Sequence, residues 1–154
     1  AFSTTASRRG GAAAPRRPDF KKLDADDVAF FRSVLSSPSS LITTIESPDG
    51  SWTAATGDDL ITYNLDWMDK YKGNSPVVLK PKTTDEVSKI IAYCYKKRIA
   101  VVPQGGNTGL VGGGVPVYDE LVLNTEGMNQ IRDFDDVSGA SLSLSPSPCT
   151  ESGS

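Results

Sequence analysis

The sequence predicts an α/β fold built on one strand–helix–strand unit, on the evidence of two apolar runs and the helical pattern between them. The first run covers residues 77–79 and is followed by Pro81; the second covers residues 99–102 and is followed by Pro103. Short β-branched runs that end at proline are typical of buried strands. Strands joined by a helix are usually parallel with a right-handed connection, so we expect a parallel arrangement. Residues 121–123 predict a third strand.

The helix of this unit is predicted from its cap and its apolar face. Thr83 and Glu86 have the spacing of a capping box. Apolar residues behind them recur every three or four positions, as on one helix face. They are Val87, Ile90, Ile91 and Cys94. Because Cys94 lies on this face, we interpret it as a small buried hydrophobe rather than a reactive thiol.

The N-terminal third divides into a basic leader, a helix and an irregular insertion. Residues 1–18 contain four arginines and no acidic residue, a composition typical of an organelle transit peptide, with a disordered basic tail as the alternative. Residues 19–59 are expected to hold a helix that begins after Asp24 and ends near Leu35, followed by a loop from residue 36. The short apolar groups at Leu41-Ile42 and Trp52 lie inside this loop.

Composition excludes several kinds of function. The 154 residues include no histidine, so this chain cannot build a Ser-His-Asp triad or a histidine-ligated zinc site. Residues 19–154 carry 12 basic and 19 acidic side chains, which argues against nucleic acid as a partner. Two cysteines are too few for a disulfide framework. No apolar run approaches the roughly 18 residues of a membrane span.

The most informative segment is the glycine-rich stretch that follows the second strand. Six of the ten residues 105–114 are glycine. Glycine is costly to order, so this density indicates a backbone that a ligand approaches closely, and a row of main-chain N–H groups can bind a pyrophosphate. The stretch matches neither the P-loop nor the G-x-G-x-x-G motif. A long flexible turn between two strands is the alternative.

Three segments, at residues 81–87, 101–103 and 104–109, resemble the opening of the PCMH-type FAD-binding domain, also called the vanillyl-alcohol-oxidase type. Residues 64–73 and 103–113 look like the mitochondrial branch of that family, which oxidises D-2-hydroxyglutarate. Residues 60–139 are therefore expected to form the opening βαβ portion of such a domain, between a disordered leader and a disordered tail.

The resemblance implies FAD as cofactor and a small 2-hydroxy acid as substrate. The family converts D-2-hydroxyglutarate to 2-oxoglutarate in the mitochondrial matrix, passes hydride to the flavin and transfers electrons to an electron-transfer flavoprotein. The residues expected at the FAD diphosphate are Gln104, Gly105, Gly106, Asn107, Thr108, Gly109, Gly112 and Gly113. Gly114 occupies a position where we expect serine. D-lactate is an alternative substrate, and a homo-oligomer is an open alternative.

The C-terminal 15 residues depart from the family. Residues 140–154 contain six serines and two prolines, which predicts a low-complexity tail, with a short edge strand at Leu142 and Leu144 as the alternative. We therefore hypothesise a truncated or alternatively spliced chain that lacks the catalytic half and any assignable catalytic residue. Two other functions stay open at this point. One is a non-catalytic interaction or regulatory protein; the other is a non-flavin βαβ domain that binds another phosphorylated ligand.

Overall fold

The computed structural model describes residues 16–129 and the backbone of residues 131–135 and 140–143. These residues contain three α-helices, six strands and a short 3-10 helix at Pro38–Ser40. In chain order the α-helices and strands are α1 (Ala25–Val34), β1 (Leu41–Thr43), α2 (Gly57–Asn64), β2 (Val77–Leu79), α3 (Thr84–Lys97), β3 (Val101–Gln104), β4 (Leu121–Asn124), β5 (Ile131–Asp135) and β6 (Ala140–Ser143). Within these residues, no helix combines the length and the apolar character that a membrane crossing requires.

The first four strands form one sheet with the order β1-β2-β4-β3. Strand β4 pairs in parallel with both β2 and β3, so the three predicted strands are parallel, as expected. β2 and β3 are nevertheless not neighbours, because β4 lies between them. β5 and β6 form a separate antiparallel pair. The carboxyl ends of the three parallel strands therefore meet at a single edge of the sheet.

Besides the 3-10 helix, the predicted loop that starts at residue 36 contains a strand and the start of an α-helix that the sequence did not reveal. Leu41–Thr43 is the edge strand β1, antiparallel to β2. α2 begins at Gly57, after a capping box between Thr56 and Asp59. The prediction of an irregular insertion is wrong for these residues. A strand of three residues is too short to show a period-two pattern, so its pairing with β2 is a tertiary effect.

The second predicted strand is displaced toward the glycine-rich stretch. It covers Val101–Gln104 and includes Pro103, which we expected to end it. Proline cannot donate a ladder hydrogen bond, so it is confined to edge strands, bulges and strand starts. β3 is the last strand of the sheet order, and Pro103 is exposed there. The edge position explains how the strand continues through proline to Gln104.

Helices cover both faces of the sheet and produce two apolar clusters. On one face α1 and α3 pack together over the strands, through a core of Val28, Phe31, Leu35, Val77, Leu79, Ile90, Cys94, Ile99, Leu121 and Leu123. On the other face α2 contributes Leu60, which packs with Val78 and Val122. The expected burial of α3 is confirmed for Ile90 and Cys94, whereas Ile91 is 42% exposed, contrary to the predicted face.

Two predicted helix caps are confirmed by the structure. Asp24 and Asp27 form a capping box at α1, and Thr83 and Glu86 form one at α3. The Glu86 carboxylate also accepts hydrogen bonds from the backbone N–H groups of Ser36 and Lys82, at 2.8 and 2.6 Å. Burial opposes its charge, but these hydrogen bonds outweigh that effect and lower the pKa of Glu86. One carboxylate thus connects the end of α1 to the start of α3.

The segment that precedes α1 lies along the β3 side of the sheet. The backbone N–H of Lys21 donates to the carbonyl of Arg98 at 2.9 Å, and Lys21 forms a parallel bridge with Ile99. Arg98 in turn donates to the carbonyl of Asp19 at 3.1 Å. Residues 16–18, which we assigned to the leader, are placed with this segment. The rest of the predicted leader, residues 1–15, lies outside the described residues.

The predicted low-complexity tail begins inside a strand. Residues 140–143 pair with β5, which corresponds to the edge strand that the sequence left as the alternative. Strand β5 itself was not predicted. The remainder of the predicted tail, residues 144–154, lies outside the described residues.

Candidate functional site: the glycine loop

The glycine loop, defined here as residues 105–114, leaves the carboxyl end of β3 and leads towards β4. In open α/β sheets, ligands bind at the carboxyl ends of parallel strands, because loops there leave a crevice free. Lys80, which directly follows β2, lies at the same edge of the sheet. Its ammonium lies 5.0 Å from the ring centroid of Tyr63 and 3.4 Å from the Glu126 carboxylate. Burial acts against its charge, but these neighbours outweigh it and raise the pKa of Lys80.

Gln104 is the buried anchor of the loop. Its side-chain amide donates to the carbonyl oxygens of Tyr63 and Gly114, at 3.0 and 2.8 Å, and only 2% of the residue is exposed. The amide of Asn124 donates to the Gln104 side-chain oxygen and to the carbonyl of Gly105, both at 3.2 Å. Gln104 thus joins both ends of the loop to α2 and β4. Because the side-chain amide of Gln104 donates both of its hydrogen bonds within the protein, we assign this residue the role of positioning the loop.

The loop is also held by the turn formed by residues 66–71. The side-chain amide of Asn107 donates to the carbonyl oxygen of Leu65, directly before this turn. At the other end, the ring of Tyr71 lies against Gly112, where an added Cβ would come within 2.7 Å of its Cγ. Gly112 also has a φ of 72°, which disfavours any other residue. Leu65, directly before the turn, and Tyr71, at its end, therefore contact the loop at two separate points.

Asp66 shapes that turn from within. Its carboxylate accepts hydrogen bonds from the backbone N–H groups of Lys70 and Tyr71, at 2.6 and 2.7 Å. The bond from Tyr71 is the largest cause of a lowered pKa at Asp66, so the carboxylate is charged at neutral pH. Its second oxygen, Oδ2, is buried and has no hydrogen-bond partner among the described residues.

Between its anchors the loop leaves its backbone uncovered. No described residue accepts a hydrogen bond from the backbone N–H groups of residues 106–113. A Cβ added at Gly109 or Gly113 would meet nothing within 4 Å, and at Gly106 only the Thr108 methyl at 3.9 Å. Exposed N–H groups beside open space fit an oxygen-rich anion such as a diphosphate. The loop's own residues include no acid that would repel such an anion.

Gly114 differs from its neighbours in the loop. A Cβ added there would lie 3.3 Å from the Asn107 side-chain oxygen and 3.6 Å from Cγ of Gln104. The serine that we expected at this position would therefore be tightly packed against the Asn107 amide and in ordinary contact with the Gln104 side chain. Its absence leaves Asn107 free of that contact while the carbonyl of Gly114 still binds Gln104.

The structure separates the predicted site residues into two groups. Gln104 and Asn107 use their side chains to hold the loop, and Gly112 accommodates Tyr71. The exposed part consists of Gly106, Thr108, Gly109 and Gly113, while Gly105 offers its carbonyl to Asn124. Direct contact of these residues with a diphosphate stays a prediction.

Sequence reasoning missed three residues that shape the site. Asn124, Asp66 and Tyr71 hold the loop and its supporting turn. Asp66 and Tyr71 lie in the segment 64–73, whose family resemblance was the only available signal. Among the described residues, no group of three cysteine, aspartate or glutamate side chains is placed to hold a metal ion.

Residues 75–141 match the protein family described as FAD binding domain. Over 124 residues, 80% of the chain, the sequence is 51% identical to a D-2-hydroxyglutarate–pyruvate transhydrogenase of Saccharomyces cerevisiae and 48% identical to a mitochondrial D-2-hydroxyglutarate dehydrogenase of Arabidopsis thaliana. The chain belongs to this family of FAD-binding proteins. A mitochondrial protein of Schizosaccharomyces pombe, provisionally named a D-lactate dehydrogenase, is 52% identical over the same share of the chain.

This flavoprotein chain spans only about a fifth of the length of these relatives, between 20% and 23%. Its fold resembles two solved structures at low sequence identity. An alkyldihydroxyacetonephosphate synthase matches 77% of the chain with a TM-score of 0.58 and 18% identity, over 22% of its own length. A p-cresol methylhydroxylase matches 71% with a TM-score of 0.53 and 20% identity, over 20% of its own length. These likenesses support the fold, and the family match over residues 75–141 shows an FAD-binding domain whose cofactor is FAD.

Proposed function

We propose that this chain provides the diphosphate-binding loop of an FAD-dependent D-2-hydroxy-acid dehydrogenase. The observation that carries the proposal is the glycine loop itself. It is anchored at both ends by Gln104, and the backbone N–H groups between the anchors have no described acceptor. Preorganised N–H groups can bind an anion without first losing other hydrogen bonds. Residues 106–109 and 112–113 would hold the diphosphate through their backbone.

The proposed reaction is the oxidation of D-2-hydroxyglutarate to 2-oxoglutarate. Two of the relatives are named for D-2-hydroxyglutarate, which supports this substrate over D-lactate. When bound, FAD would accept the hydride of the alcohol carbon, which carries two electrons, while the hydroxyl group loses its proton; an electron-transfer flavoprotein would then receive the two electrons. The described residues contribute cofactor binding. We assign substrate binding and proton transfer to parts of the relatives that this chain does not match.

We also propose a mitochondrial matrix location, with the basic leader as the targeting signal. Relatives carry the word mitochondrial in their names, and residues 1–15 include Arg8 and Arg9 without an acid. Fusion of residues 1–18 to a fluorescent protein should direct it to mitochondria, and substitution of both arginines with glutamine should reduce import. Import that is unchanged by this double substitution would contradict the role of the leader.

Equilibrium dialysis of the purified 154-residue chain tests the binding proposal directly. We expect retention of FAD, competition by ADP, which also carries a diphosphate, and no retention of riboflavin, which lacks phosphate. Retention of riboflavin as tightly as FAD would exclude the diphosphate as the recognised group. We further expect D-2-hydroxyglutarate to leave the visible absorbance of the bound flavin unchanged, because this chain alone is proposed to bind and not to catalyse. Bleaching would show that it carries a catalytic site.

A further inference from the structure

One face of α3 is exposed, although the opposite face of this helix packs into the core. Ile90 and Cys94 are buried with the sheet residues, whereas Ile91 is 42% exposed and Tyr95 is 87% exposed. These two side chains and their smaller neighbours line one open groove of about 490 Å³. We define the α3 groove by its lining residues, all of which belong to this helix: Thr84, Val87, Ser88, Ile91, Ala92 and Tyr95.

The groove residues have the spacing of a helix-packing seam. Thr84, Ser88, Ile91 and Tyr95 follow one another at intervals of four, three and four positions, so they form a single row along α3. A row with this alternation is where a second helix packs lengthwise. Tyrosine is also enriched at protein–protein interfaces. The α3 groove therefore has the form of a docking site for a helix.

The two halves of this row differ in size. The N-terminal half presents the small side chains of Thr84 and Ser88, and the C-terminal half presents the large side chains of Ile91 and Tyr95. When two copies of one helix pair in antiparallel fashion about a two-fold axis, the first half of each lies against the second half of the other. Ile91 of one copy then meets Ser88 of the other, and Tyr95 meets Thr84. Each large side chain meets a small one, as close packing requires.

The charges along α3 favour the same orientation. Asp85 lies in the first turn and Lys96 in the last turn, and both are exposed. They lie on the same side of the row, because positions 85, 89, 92 and 96 repeat its four-three-four spacing. Antiparallel pairing brings Asp85 of one copy near Lys96 of the other at both ends, whereas parallel pairing would bring like charges together. Lys89 lies between them beside the small Ala92, which leaves its long side chain room to reach solvent.

We infer that the α3 groove binds the α3 groove of a second copy of this chain, as an antiparallel helix pair. A surface that is complementary to itself in both size and charge favours an identical partner, since a two-fold dimer places the same patch on both sides of the interface. The α3 groove and the glycine loop share no residue, so dimerisation is independent of the proposed diphosphate binding.

Sedimentation equilibrium of the purified 154-residue chain tests this dimer. With rising concentration, the measured mass should approach twice the 16.4 kDa of one chain. One helix face is a small interface, so we expect a dissociation constant on the order of tens of micromolar. Ser88→Tyr fills the space proposed for Ile91 of the other copy, and Ile91→Ser removes the side chain that occupies it. Each should weaken association about tenfold or more.

Ile61→Ser is the matched control for Ile91→Ser. Ile61 is the same residue type with a similar exposure of 44%, but it lies on α2. This variant should associate as the unsubstituted chain does. All of the substituted positions are exposed, so we expect every variant to fold, and circular dichroism checks that expectation.

Charge reversal tests the orientation of the two helices. Asp85→Lys and Lys96→Asp should each weaken association severalfold, because each substitution brings like charges together at both ends of the pair. The chain with both substitutions restores the opposite charges with their signs exchanged. It should therefore associate more tightly than either single variant. A doubly substituted chain that associates no better than the single variants would overturn the antiparallel pair.

The remaining outcomes distinguish the possible occupants of the groove. A chain that stays monomeric up to about 1 mM would overturn the inference and leave the rest of a longer chain as the occupant. Dimers that withstand both Ser88→Tyr and Ile91→Ser would have to use another surface, which also overturns it. FAD retention by Ile91→Ser should equal that of the unsubstituted chain, so failure of the dimer and failure of the diphosphate site are separate results.

Discussion

The guanidinium of Arg16 forms an ion pair with the carboxylate of Asp119, although 103 residues separate them along the chain. The two side chains are only 27% and 25% exposed. Arg16 also donates to the carbonyl oxygens of Phe20 and Lys21, at 2.9 and 3.4 Å. A single side chain thus connects the segment before α1 to the end of the β3–β4 connection, so the last residues of the predicted leader take part in the fold.

Loss of this contact should destabilise the fold. Arg16→Ala leaves Asp119 and two carbonyls without their donor, so we expect the free energy of unfolding to fall by about 1 kcal/mol. Urea denaturation checks this value. Arg17→Ala is the control, because its side chain is 73% exposed and should contribute little. Equal stability of the two variants would show that the Arg16 contact does not stabilise the protein.

Two neighbouring glycines should respond differently to alanine. Gly112→Ala forces a Cβ against the Tyr71 ring and places alanine at a positive φ, which should cost about 2 kcal/mol or more. Gly113→Ala meets open space and should leave the melting temperature nearly unchanged. Its methyl group would, however, occupy space proposed for the diphosphate, so FAD binding should weaken. Thermal unfolding and FAD dialysis of both variants test this difference; identical behaviour would contradict it.

The buried amide of Gln104 should be essential to the loop. Gln104→Leu has a similar volume but cannot donate to Tyr63 and Gly114, and it removes one of the two acceptors of the Asn124 amide. Buried groups left without partners should lower the free energy of unfolding by about 3 kcal/mol. Urea denaturation measures the loss, with the exposed position Asn129→Ala as control. A loss no larger than that of the control would mean that the loop is anchored in another way.

Alkaline pH should destabilise the protein through Tyr93 and Cys94. Burial is the largest cause at both groups; the hydrogen bond to Asp27 adds to it at Tyr93 and the nearby Asp27 charge at Cys94, and the pKa of each rises to about 12. The unfolded chain releases these protons near their ordinary values of 10.0 and 9.0, while the folded protein still holds them. Stability conferred by both groups is therefore complete below about pH 9 and is lost as pH rises toward 12.

Substitution of Tyr93 separates its contribution to the alkaline loss of stability from that of Cys94. Tyr93→Phe loses the hydrogen bond to Asp27, so it should be less stable than the unsubstituted protein at pH 8. It should also lose less stability between pH 9 and pH 11, because one of the two titrating groups is gone. Urea denaturation at pH 8, 9, 10 and 11 measures both effects. An unchanged slope with pH would rule out Tyr93 as a contributor.

The parts of the fold that sequence predicted are those with strong local signals. The capping box at Thr83 and the buried positions Ile90 and Cys94 follow from spacing alone, and the structure confirms them. The edge strand β1 and the passage of β3 through Pro103 escaped prediction. Both depend on position within the sheet, which no local pattern of three or four residues encodes.

The candidate site divides in the same way. Glycine density and flanking resemblance located the loop at residues 105–114. A backbone segment without side chains has to be built from glycine, and glycines can be read directly in the sequence. Which residues anchor the loop was decided only by tertiary structure. Gln104, Asn124 and Tyr71 meet there from β3, β4 and the turn 66–71, and their hydrogen bonds and contacts join positions far apart in sequence. Sequence alone determined the cofactor family and the position of the glycine loop. Packing decided which groups hold that loop and which remain open, since burial and pairing arise only when distant segments come together.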